Sequence, residues 1–120
     1  MNQFVLMIYQ GTTPLPGSDA WDALAEEEQH AIYADYAAIN QTPGVAPGPP
    51  LGLPADARTG RSTDGSVETT VGPYAGADNA VGGFAILEAE DLDAAIALAA
   101  RIPAARLGGA VEVRPVAKYW

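Results

Sequence analysis

The chain has 120 residues, no cysteine, and 15 acidic against 6 basic side chains, for a net charge of −9 at pH 7. One compact domain spanning 1–120 fits that length. The lack of thiols excludes disulfide scaffolds, thiolate nucleophiles and Cys-ligated metal sites. The negative charge repels phosphate backbones and anionic lipid surfaces, so neither nucleic acid nor membrane is expected as a partner. Hydrophobic residues make up 48%, but 24 of them are alanine. The core is therefore thin, and a homodimer interface is expected to supplement it.

The charge is unevenly placed. No Lys or Arg precedes Arg58, whereas Arg101, Arg106, Arg114 and Lys118 face the lone Glu112 in the last twenty residues. The acids read either as solvated helix faces or as a charged cleft or complementary subunit surface. The N-terminus lacks the basic leader of a signal peptide, and no stretch approaches the ~18 apolar residues of a membrane span, which predicts a cytoplasmic protein.

Taken in order, residues 3 to 9 form a nearly continuous apolar run closed by Gly11, Pro14 and Pro16, the pattern of a buried central strand. Ser18 offers a helix cap, and Asp19, Asp22, Glu26, Glu27 and Glu28 suit the positive end of a helix dipole, so one helix is predicted from Asp19 to about Gln41. Its inner arc carries Ile32, Tyr33, Tyr36, Ile39 and Asn40, with Asp35 and Ala38 opposite. Pro43 and Gly44 end it. Between Pro43 and Pro54, five of twelve residues are proline and three are glycine. That composition suits an edge strand or a covering loop, as a lid over a ligand or as a rigid shield of the sheet edge.

Asp64-Gly65 matches the two positive φ angles of a tight hairpin turn, with arms predicted at 57–62 and 66–71. Val81 to Leu87 returns to buried-strand composition, and Gly82-Gly83 permits a bulge or close backbone contact. Glu90-Asp91 caps a helix in which Leu92, Ala95, Ile96 and Ala99 recur at i, i+3, i+4 and i+7, ending before Pro103. Val111, Val113 and Val116 supply a last strand. This β-α-β-β-α-β order predicts an α+β, ferredoxin-like fold: an antiparallel sheet with two helices on one face and an inserted β-hairpin. The other face needs a cover, which a second subunit's sheet supplies in a dimeric α/β barrel able to hold a small ligand.

Four segments in this order, Phe4 to Tyr9, Gly82-Gly83-Phe84-Ala85-Ile86-Leu87, Asp91-Leu92-Asp93-Ala94-Ala95 and Val111-Glu112-Val113-Arg114-Pro115-Val116, resemble the YCII-related family and within it the DGPF-domain group. The resemblance spans nearly the whole chain and implies small dimeric α/β-barrel proteins related to muconolactone isomerase, most without an established activity. The tetrapeptide that names the group falls at Val71-Gly72-Pro73-Tyr74, where valine replaces the acid and tyrosine the phenylalanine. A structural role is expected for this segment, with Gly72-Pro73 shaping a turn and the Tyr74 ring plugging the core.

His30 is the only histidine, and so the default general acid or base if the protein is an enzyme. The resemblance implies a histidine on the first helix working with an aspartate. Asp78, near the displaced tetrapeptide, is the first candidate partner, with Asp64 and Asp35 behind it. His30 reads more readily as a surface or dimer-contact residue. Tyr9, Tyr36 and Tyr74 are candidates to line a pocket and present hydroxyls to a small molecule, and Arg114 to clamp a carboxylate; all four also suit ordinary structural roles. One histidine and scattered carboxylates lack a metal-ligand spacing, and no P-loop, dinucleotide fingerprint or Gly-x-Ser-x-Gly elbow occurs, so no metal and no cofactor is expected. Two functions compete. One is a small-molecule binder or cofactor-independent isomerase or lyase. The other is a non-enzymatic interaction module linked to transcription, an association that the family resemblance suggests.

Overall fold

In the first strand, β1 (Asn2–Tyr9), Phe4, Leu6 and Ile8 are buried while Val5, Met7 and Tyr9 on the opposite face are half-exposed. The computed structural model describes residues 1–119 and builds a four-stranded sheet around this strand, with β2 (Val45–Pro47), β5 (Val81–Ala89) and β6 (Ala110–Pro115) in the order β2-β5-β1-β6. Every pairing is antiparallel. Helices α2 (Glu26–Asn40) and α3 (Leu92–Ala99) cover one face, where Ile39, Ala95, Leu98 and Ala99 pack against Phe4, Leu6, Ile8, Ala85 and Leu87. This is the predicted ferredoxin-like α+β fold. Among the described residues, no helix is long and apolar enough to cross a membrane.

The hairpin is a sheet of its own, β3 (Arg58–Thr63) with β4 (Ser66–Val71), inserted between β2 and β5. Asp64 at φ 50° and Gly65 at φ 83° make the expected tight turn. Its side chains are almost all exposed. That projection helps to raise the radius of gyration to 16.0 Å, above the about 14 Å of a compact chain this long.

Two predicted details are corrected. The single helix from Asp19 is broken into α1 (Asp19–Asp22) and α2, with Ala25 in extended conformation between them. The break lets Trp21 fold inward to 6% exposure and meet Tyr33 edge to face at 5.2 Å, while Gln29 Nε2 donates to the Trp21 carbonyl at 2.9 Å. Aromatic burial outweighs the continuous helix ladder. In α3, Ala95 and Ala99 of the predicted arc are buried, but Leu92 and Ile96 face outward at 44% and 48% exposure and Leu98 is buried in their place. Positions 95, 98, 99 and 102 repeat the same helical spacing, and the small alanines admit the closer approach to the sheet.

The Pro-rich segment is both of the things its composition suggested. β2 is a three-residue edge strand on β5. Beyond it the chain stays tied to β5, Gly48 N–H donating to the Phe84 carbonyl at 2.9 Å and Leu51 N–H to the Gly82 carbonyl at 3.2 Å. Among the described residues, no helix packs on the outer face of the sheet. On it Ala46, Ile86, Val5 and Arg114 form one cross-strand row, and Phe84, Met7 and Glu112 the next.

Candidate functional site

Two cavities flank the start of β5, one at each side of the Pro-rich segment. The first, of about 480 Å³, lies at the base of the hairpin and is walled by Tyr9, Leu53, Asp56, Tyr74, Asn79 and Val81, among others. Tyr9 ends β1 and Tyr74 follows β4, so only the tertiary fold brings these two predicted ligand residues to one place. The expected role of Tyr74 as a core plug is corrected: its ring is 75% exposed, with the Arg61 guanidinium 5.7 Å from its centroid. The preceding Gly72, at φ 98°, makes the predicted turn, and its N–H and carbonyl bond Ala57 and Thr59 across the hairpin base. That bonding directs the chain outward before Tyr74.

The second cavity, of about 320 Å³, lies between α2, the end of β1 and the Pro-rich segment. The whole inner arc read from the helix periodicity, Ile32, Tyr33, Tyr36, Ile39 and Asn40, lines it. Tyr36 is thus placed apart from Tyr9 and Tyr74. Burial pushes its phenol pKa above the ordinary 10.0, partly offset by a backbone hydrogen bond at Ala104 and the nearby Arg106 charge. Arg106 pairs with Asp35 on the other side of α2.

Gln10 was not legible as a site residue. It is 6% exposed, stands on the wall of the second cavity, and its Oε1 has no hydrogen-bond partner among the described residues. Leaving a buried acceptor unpaired costs about 1–3 kcal/mol. The available signal was a polar residue extending an apolar strand, with the Gly82 bulge across from it: Ile8 pairs with Gly83 and Tyr9 with Val81, so Gly82 is skipped.

The remaining candidates lie outside both cavities. His30 sits on the solvent side of α2, its side chain 71% exposed and 3.8 Å from Glu26 Oε1. Asp78 is exposed in a 3-10 turn, Ala77–Asn79. Among the described residues no hydrogen bond or ion pair joins the two, and no group of three or more His, Asp or Glu side chains is placed to hold a metal ion. Arg114 lies on the outer sheet face, with Nε 3.9 Å from Glu112 Oε2.

The sequence pattern of the YCII-related domain matches residues 3–119. The chain belongs to the YCII-related family. No curated protein matches this chain significantly. In this YCII-related domain, one sheet face is free of helices among the described residues, and the Tyr9 and Tyr74 cavity and the Gln10 cavity lie at the start of β5.

Proposed function

We propose that this YCII-related protein binds a small polar molecule as a homodimer, in the cavity where Tyr9 and Tyr74 meet. The observation that carries the reading is that convergence: Tyr9, Tyr74, Asp56 and Asn79 line one cavity of about 480 Å³. A few polar groups on an otherwise apolar wall are what orient a small ligand. The dimer forms through the outer sheet face, where Phe84 and Ile86 are each 40% exposed and lie beside Val5 and Met7. Covering such a patch with a second sheet removes apolar area from water and closes a barrel. Arg114, on the same face, supplies a guanidinium able to clamp a ligand carboxylate. The Gly72-Pro73-Tyr74 turn supports placement in the DGPF group.

The test is an NMR titration of the protein with small carboxylates and lactones, repeated on Tyr9→Phe and Tyr74→Phe, beside sedimentation at several concentrations. Binding by one class that shifts the Tyr9 and Tyr74 amides and weakens in the Phe variants supports the reading. Absence of binding across the panel overturns it in favour of the interaction-module alternative, and a monomer at all concentrations overturns the dimer. A general acid-base pair of His30 and Asp78 predicts lactone turnover that both His30→Gln and Asp78→Asn abolish.

A further inference from the structure

We propose that the free edge of β4 pairs with β4 of a second copy of this chain, joining two hairpins into one four-stranded antiparallel sheet. Among the described residues β4 is bonded only to β3, and all six of its residues are exposed. A two-stranded hairpin standing alone is marginal in water, and further strands steady it. β4 lacks the proline, lysine and bulge that guard free edges: it reads Ser66-Val67-Glu68-Thr69-Thr70-Val71, and its pairs with β3 run in unbroken register.

The bonding at the hairpin base sets which groups point outward. Gly72 N–H donates to the Ala57 carbonyl at 2.8 Å. Bonded and non-bonded pairs alternate along an antiparallel ladder, so Thr59 with Thr70, Arg61 with Glu68 and Thr63 with Ser66 are the bonded pairs. The N–H and carbonyl groups of Val67, Thr69 and Val71 therefore point away from β3. Two such edges meet in one favoured register. Centred on Thr69, it sets Val67 of each copy opposite Val71 of the other, Thr69 opposite itself and Glu68 opposite Thr70, each outward pair exchanging both its main-chain hydrogen bonds. Centring on Glu68 instead sets that carboxylate against its own copy, a like-charge clash. Centring on Thr70 sets Val67 opposite Pro73, which has no N–H to give.

Charge points to the same place and to the same occupant. Two copies of a chain of net charge −9 repel each other. In the hairpin, however, Arg58 and Arg61 balance Asp64 and Glu68, so this neutral arm is where two copies approach at least cost. The contact is isologous, as a two-fold dimer requires. It is separate from the outer sheet face and does not depend on it.

The chain has no cysteine, so a single introduced thiol reports the contact. In the centred register the two Thr69 Cα atoms lie about 5.5 Å apart, within disulfide reach. Thr69→Cys is expected to give a covalent dimer on a non-reducing gel after mild oxidation, and Ser62→Cys, on the far strand of the hairpin, to stay monomeric. Thr69→Pro removes an outward N–H and leaves the bonded pairs of the hairpin intact. It is expected to halve the sedimenting mass of the intact protein, whether or not the outer sheet face also associates. The Thr69→Cys readout stands if Thr69→Pro does not fold. No cross-link in Thr69→Cys, equal cross-linking of Ser62→Cys, or an unchanged mass in folded Thr69→Pro overturns the proposal. A wild-type monomer at all concentrations also overturns it and leaves the edge to a strand of another protein.

Discussion

Gln10 and Gly82 occupy each other's space: the position a Cβ would take on Gly82 is filled by Nε2, Cδ and Cγ of Gln10. The bulge that skips Gly82 and the glycine in it are therefore the condition for a buried amide at the end of β1.

Gly82→Ala is expected to push the Gln10 side chain off this seat and to lower stability by about 1–3 kcal/mol, the range for overpacking a filled site. Gly60→Ala, where nothing lies within 4 Å, is expected to stay within about 0.5 kcal/mol of wild type. Urea unfolding of both variants checks the difference, and equal losses would refute the close approach.

Leu6 is fully buried at the centre of the sheet. Leu6→Ala is expected to cost about 2–5 kcal/mol through lost transfer energy and the cavity left behind. Val67→Ala on the hairpin, where the side chain is 78% exposed, is expected to cost less than about 0.5 kcal/mol. A shift of urea midpoint of similar size in both would contradict the placement of the core.

Asp91 caps α3, its Oδ1 accepting from Ala94 N–H at 2.8 Å. Asp91→Ala leaves that N–H without its partner and is expected to lower thermal stability by about 1 kcal/mol, with Asp91→Asn retaining most of it. Equal melting of the Ala variant and the wild type would show that the helix does not depend on its cap.

Burial raises the Tyr36 pKa above 10.0, so the folded chain holds this phenol proton more tightly than the unfolded chain. The contribution to stability is fully present below the unfolded value and is lost as pH rises through the folded one. Stability is therefore expected to fall as pH rises above the unfolded value of 10.0, and Tyr36→Phe to flatten that fall. Urea midpoints across this window test it; an unchanged slope in Tyr36→Phe would assign the effect elsewhere.

Much of the framework was legible because local chemistry and tertiary structure agree. Asp64-Gly65 makes the turn its two residues favour, Ser18 and Asp91 both act as caps, and the prolines keep β2 at the sheet edge. The faces of α3 were less legible. Its two overlapping apolar arcs have the same period, and only the sheet's preference for the alanine side separates them. The candidate site was read in fragments. Tyr9, Tyr36 and Tyr74 were identified as residues, but Tyr36 belongs to one cavity and the other two to another. No spacing along the chain encodes that division.

The sequence alone determined the order of elements, the location of turns and caps, the edge position of the Pro-rich segment and the family, because each depends on neighbours within a few residues or on a pattern running the length of the chain. The tertiary structure decided where Trp21 breaks the first helix, which side of α3 meets the sheet, that Tyr74 faces outward, and that Gln10 is buried with its acceptor unpaired. These depend on distant segments competing for the same space, and that competition is resolved only when the strands pair and the helices close over them.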